Sequence, residues 1–108
     1  MAREQLKNLT EPMLYILLSL NTERCGVEII ENVKKISSGR VTVGPGTLYA
    51  LLGRFYEEDI IRMTNFSSRR RTYILTQKGT DILHKECQRI ENVNNNIKFV
   101  LGGVNDEK

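Results

Sequence analysis

The feature that most constrains this chain is a pair of strand-like runs, Ile60 to Thr64 and Thr72 to Thr76, separated by the polar stretch Asn65 to Arg71. Both runs are rich in β-branched and apolar residues, and the stretch between them ends in Arg69-Arg70-Arg71. Two strands that close in sequence pair as an antiparallel hairpin, so a basic loop projects from whatever the hairpin is attached to. Helical patterns flank the hairpin on both sides, which limits the fold to an α+β arrangement with one small sheet.

Upstream, Thr10-Glu11-Pro12 combines a capping hydroxyl, an acidic first turn and a proline where the helix needs no amide donor. Met13, Leu14, Ile16, Leu17, Leu18 and Leu20 follow, predicting a short helix buried on most sides and ended by Asn21-Thr22-Glu23. A second helix is predicted over Gly26 to Ile36, with Val27, Ile30 and Val33 on its inward face and Ser37-Ser38-Gly39 as its stop. Arg40-Val41-Thr42-Val43 alternates and is β-branched, so a short strand is expected there. Pro45, after Gly44, opens a third helix to about Glu58. Its inward face is Leu48, Leu51, Leu52 and Phe55, and Tyr49, Ala50, Gly53 and Arg54 are expected outward. Gly53 in mid-helix costs about 1 kcal/mol relative to alanine and suggests a close backbone approach to another surface. Thr76 caps a long last helix, Gln77 to about Leu101, followed by a polar tail.

Three helices, then a hairpin, then a long helix is the order of a winged helix-turn-helix with a two- to three-stranded β-wing. The expected division is a winged-helix domain over residues 1–76, a dimerisation helix over 77–102 and a tail over 103–108. The third helix is then the element that enters a major groove. Its small-residue start lets backbone amides and Thr47 approach a phosphate at the positive end of the helix dipole. Thr47, Tyr49 and Arg54 are the candidate helix contacts with DNA, Tyr49 serving equally well in packing. Arg69, Arg70 and Arg71 are the candidate wing contacts. The net charge of +3 in 108 residues permits nucleic-acid binding without arguing for it; placement of the arginines carries the argument.

Leu83, Ile90 and Ile97 recur every seven residues, with Cys87, Asn94 and Leu101 in the alternating positions of the same seam. This heptad stripe predicts a homodimer arm, with Asn94 fixing register at a cost in stability. Two symmetric modules also suit the task, since each reads one half-site of an operator.

Other classes find little support. His84 is the only histidine and has no nucleophile or carboxylate at a useful spacing, so an enzyme is not expected. No Cys/His cluster or calcium-loop spacing suggests a metal, and no cofactor motif is present. The start of the chain lacks a signal-peptide pattern and the apolar stretch near Met13 to Leu20 is far too short to span a bilayer, so the cytoplasm is the expected location. Two alternatives stay open: a winged-helix protein–protein interaction module without DNA contact, and a redox-responsive regulator using Cys25 or Cys87.

Gly46-Thr47-Leu48-Tyr49, followed by Leu52, Arg54 and Ile60-Ile61, resembles the signature of the PadR family of transcriptional regulators. Arg70-Arg71-Thr72-Tyr73-Ile74-Leu75-Thr76 resembles the family's wing strand, Lys78-Gly79 its following turn, and Gly26-Val27-Glu28-Ile29 the start of its second helix. The length is similar to that of the short subfamily with a single C-terminal dimerisation helix. The resemblance implies a homodimeric repressor of an operator in double-stranded DNA, released by a small hydrophobic or aromatic ligand. Tyr15 and Phe99 are the residues of this chain that could line such a ligand pocket. The chain departs from the pattern in having Asp59 for a glycine, Thr72 for an aromatic, Tyr56 for a glutamate, and no tryptophan. Aspartate tolerates the left-handed backbone that the glycine position requires.

Overall fold

A computed structural model describes residues 9–67 and 69–102. The expected tail over 103–108, and residues 1–8 of the expected winged-helix domain, lie outside the described residues. The elements run α1 (Glu11–Ser19), β1 (Arg24–Cys25), α2 (Gly26–Ile36), α3 (Pro45–Glu57), β2 (Ile61–Asn65), β3 (Thr72–Leu75) and α4 (Gln77–Ile97). A π-helical segment, Lys98–Gly102, continues α4. The sheet is antiparallel with order β1-β3-β2. The expected mixed architecture, a winged helix with a small β-wing and a long last helix, is what the chain adopts.

Local chemistry explains most boundaries. The Thr10 hydroxyl accepts from the Met13 amide to start α1, and the Thr76 hydroxyl accepts from the Gly79 amide to start α4. The α2 start is closed by Glu28, whose Oε1 accepts from the Cys25 amide at 2.9 Å. Pro45 sits in the first turn of α3 behind Gly44 as its N-cap. The helix ends through Asp59, whose φ of 63° is the left-handed conformation expected of a residue standing in a glycine position. The Ile60 amide then bonds back to the Phe55 carbonyl, turning the chain into β2.

One core unites the first three helices, the sheet and the start of α4. Ile16, Leu17, Leu20, Ile29, Val33, Leu48, Leu52, Phe55, Ile60 and Ile61 are almost wholly buried in it. Burial of this kind supplies the main stabilising term of a domain this small. Ser19, buried on α1, is satisfied by the Tyr15 carbonyl and the Asn32 amide. At Gly79 the α4 backbone lies directly over the Ile60 carbonyl, so closely that a Cβ would collide with it.

Two expectations are corrected. Arg40 to Val43 is not a strand: Val41 and Val43 are buried and Thr42 is exposed, so the alternation is real. The backbone there, however, is tied to a side chain. The Ser37 hydroxyl accepts from the Val41 amide and donates to the Val41 carbonyl. The edge position of the sheet goes instead to Arg24–Cys25, paired with Tyr73 and Thr72. The inward face of α2 is Gly26, Ile29 and Val33, with Ile30 partly buried, whereas Val27 is exposed. At Gly53 a Cβ would meet open space among the described residues, so packing within the domain does not require this glycine.

Candidate nucleic-acid interface

The outer surface of α3 begins with a small, open entrance. Gly44, Pro45, Gly46 and Thr47 are all exposed, and past them Tyr49, Ala50, Gly53 and Arg54 face away from the core that Leu48, Leu52 and Phe55 occupy. Arg54 donates through Nε to Glu58 Oε2 at 3.2 Å, one turn on, so its guanidinium lies along the helix at the far end of this face.

Tyr49 serves two surfaces at once. It is 50% exposed, yet its hydroxyl lies against Gly26 so closely that a Cβ at that position would collide with it. The glycine that opens α2 is therefore what allows α3 to present a tyrosine beside the α2 N-terminus. Tyr73, on β3, is the other aromatic nearby. Burial pushes its phenol above the ordinary value, reinforced by the neighbouring Tyr49.

The wing is organised rather than loose. The β2–β3 register shifts by one residue between Met63 and Asn65, as at a β-bulge, and pairing resumes with Asn65 opposite Thr72. At the tip, Asn65 Oδ1 accepts from the Ser67 amide and the Ser67 hydroxyl accepts from the Arg69 amide. At the base, Glu23 Oε2 accepts from the hydroxyls of both Thr64 and Thr72, which are themselves 2.6 Å apart across the strands. Those hydroxyl bonds hold the Glu23 carboxyl below its ordinary value. Thr72 is thus fully used here, in place of the aromatic that the family pattern carries.

Arg69, Arg70 and Arg71 are exposed at the end of the wing loop, just before β3. Together with Tyr49, Tyr73 and the α2 start at Cys25, Gly26 and Val27, they line one open cleft of about 550 Å³. The structure therefore brings Tyr49 together with all three wing arginines. Thr47 and Arg54 are also exposed on α3 but lie outside the cleft lining. Gly26, Val27 and Tyr73 are not among the expected contacts, although all three stand within the family motifs read from the sequence. The cleft exists because β1 binds β3, which sets the α2 N-terminus beside the wing.

The seam residues divide. Leu83 is 4% exposed and belongs to the core of its own domain, because α4 packs there against α1 and β3. This corrects its expected place in the seam. Cys87, Ile90, Asn94, Ile97 and Leu101 are exposed, as are Val93, Phe99 and Val100. Nearby, Glu86 is buried and accepts two hydrogen bonds from Arg89, which hold its carboxyl below the ordinary value. Tyr15 is partly buried on α1 with its hydroxyl accepting from Arg40, which also grips Glu11, while Phe99 is 83% exposed. Neither residue lines the cleft described above. Cys25 is a buried free thiol and Cys87 an exposed one.

Among the described residues, no group of three or more His, Cys, Asp or Glu side chains is placed to hold a metal ion. No described helix is long and apolar enough to cross a membrane.

Comparison with solved structures sets this geometry in context. The chain is similar to a PadR-like transcriptional regulator from Bacillus cereus, with 26% identity, a TM-score of 0.66, and coverage of 84% of this chain and 89% of that one. It is similar to a transcriptional regulator from Clostridium thermocellum at 20% identity, TM-score 0.65, covering 84% and 91%. In fold it also matches RosR of H. salinarum at 17% identity, TM-score 0.69, covering 94% and 98%. No curated protein matches the sequence. Residues 13–85 match the model of the transcriptional regulator PadR-like family, spanning α1 through the first part of α4. On that match, over a winged helix with an exposed α3 and an arginine-bearing wing, the chain belongs to the PadR-like family of transcriptional regulators.

Proposed function

We propose that this protein is a cytoplasmic, homodimeric repressor that binds an operator in double-stranded DNA. The observation that carries the reading is the cleft in which Tyr49 of α3 and Arg69, Arg70 and Arg71 of the wing converge. A helix in a major groove and a basic hairpin on the flanking backbone contact adjacent parts of one duplex, and this surface has that layout. In this reading Thr47 and the α3 N-terminus bind phosphate, Arg54 reaches a base edge or phosphate, and the wing arginines follow the backbone. Open space at Gly53 lets the duplex lie close to the helix.

The exposed stripe on α4 supports the dimer. Ile90, Ile97 and Leu101, with Val93 and Val100 beside them, are left exposed by the described residues, and a helix projecting alone in water is marginal. A second copy covers the stripe, with Cys87 and Asn94 in the same seam. Release by a small hydrophobic effector is the regulatory part of the proposal, with exposed Phe99 as the apolar surface available to it and Tyr15 as the second contact. Binding of genomic DNA fragments by the purified protein tests the core reading. Retained fragments should bind with log affinity falling linearly in log salt, and Arg70→Ala and Arg71→Ala should each lower that slope by about one. Unchanged binding on reversing both charges, R70E with R71E, removes the wing from the reading. If no fragment is retained, a protein–protein module takes its place.

A further inference from the structure

Arg70 is the one wing arginine with a resolved acidic partner among the described residues, and that partner lies on another element. Its Nη2 donates to Glu28 Oε2 at 2.9 Å, across 42 positions of sequence. Glu28 stands in the first turn of α2, and its other oxygen, Oε1, accepts from the Cys25 amide at 2.9 Å. The carboxylate is thus fixed at both ends, by the backbone of the strand–helix junction and by the wing. A negative group at the rim of a DNA-binding surface repels phosphate unless its charge is already spent, and here both oxygens are occupied.

We infer that Glu28 is a positioning residue for DNA contact, holding the Arg70 guanidinium beside the α2 N-terminus so that its remaining donors face the phosphate backbone. The inference rests on the wing being a DNA-contacting surface. A guanidinium carries five N–H donors in a rigid fork, and the bond to Glu28 engages Nη2 alone. The Arg70 side chain is 59% exposed, so the rest of the fork is open to a ligand. An exposed ion pair contributes little to stability; its effect is to restrict a long side chain to one orientation before binding. Preorganisation of that kind appears as affinity, because less freedom is lost on association. The hydrogen bond from the Cys25 amide holds the Glu28 carboxyl below its ordinary value, so the anchor stays charged under conditions where DNA is bound.

The test is a double-mutant cycle with full-length protein and a genomic fragment retained by the unmodified chain. Glu28→Gln keeps an oxygen for the Cys25 amide and removes the charge that grips Arg70; a urea midpoint verifies that the fold survives. E28Q is expected to weaken binding about three- to tenfold when Arg70 is present, and by less than about twofold in an Arg70→Ala background. Tighter binding by E28Q, or no change, overturns the inference, since Glu28 then competes with phosphate or is indifferent to it. An equal loss in both backgrounds also overturns it, because Glu28 then acts through the α2 start. If R70A alone leaves affinity unchanged while R71A and R69A lower it, the inference falls and the wing reading stands. If none of the three lowers affinity, the wing reading itself falls.

Discussion

Glycine has opposite consequences at three positions of this chain, and only surroundings distinguish them. At Gly79 a Cβ meets the Ile60 backbone carbonyl, which has no freedom to withdraw. Gly79→Ala should therefore destabilise the fold by about 1–3 kcal/mol, seen as a lower urea midpoint with unchanged slope. At Gly53 nothing lies near, so Gly53→Ala should stabilise the free protein by about 0.5–1 kcal/mol through helix propensity. The same variant should bind DNA more weakly if the duplex approaches that face, so stability and affinity move in opposite directions. Gly26 is intermediate, because its neighbour is the end of a half-exposed tyrosine that is able to swing away. Its substitution displaces Tyr49 from the cleft at modest cost to the fold.

Elements here are held to one another by carboxylates at helix starts and strand edges. Glu23 joins the α1–β1 connection to both wing strands, Glu28 joins α2 to the wing, and Glu11 joins α1 to Arg40 beyond α2. Each carboxyl is held below its ordinary value by the hydrogen bonds it accepts. The unfolded chain then binds more protons than the folded one in the interval below 4.5, the unperturbed value. Stability from these groups is present above that value and is lost as pH falls through the folded values. Urea midpoints should be level near neutrality and decline in acid, and Glu23→Gln should flatten part of the decline. A variant with an unaltered acid limb would remove Glu23 from the wing base.

For the molecule as a whole, the long helix does two different jobs along its length. Its first turns belong to the domain core and its later turns leave it, which contributes to the elongated extents of 58 × 37 × 21 Å. Leu83→Ala should cost about 2–5 kcal/mol of domain stability, as a truncation in a packed core does. Ile97→Asp, in the exposed stripe, should leave the monomer's stability nearly unchanged and shift the protein from dimer to monomer in sedimentation. Operator affinity should fall with it, because a single module contacts one half-site. A dimer that survives I97D places the interface elsewhere.

Much of this architecture is written locally. Caps at Thr10 and Thr76, the proline at Pro45, the left-handed Asp59 and the hairpin runs depend on residues within a few positions of one another, so sequence determined the helices, the wing and the candidate contacts on α3. The family motifs Gly46 to Tyr49 and Arg70 to Thr76 likewise pointed to the family that the match over residues 13–85 establishes. What sequence could not determine was which distant groups meet. Arg24–Cys25 is too short to show a strand pattern, yet its pairing with β3 sets α2 against the wing and makes the cleft. Val41 and Val43 alternate as a strand does, but Ser37 satisfies the backbone instead. Leu83 has heptad spacing and still packs inward, because periodicity fixes the face of a helix and not where the domain beneath it ends. The basic hairpin loop was legible from the start; that Glu28 holds one of its arginines was decided only by the tertiary structure, through contacts 42 residues apart.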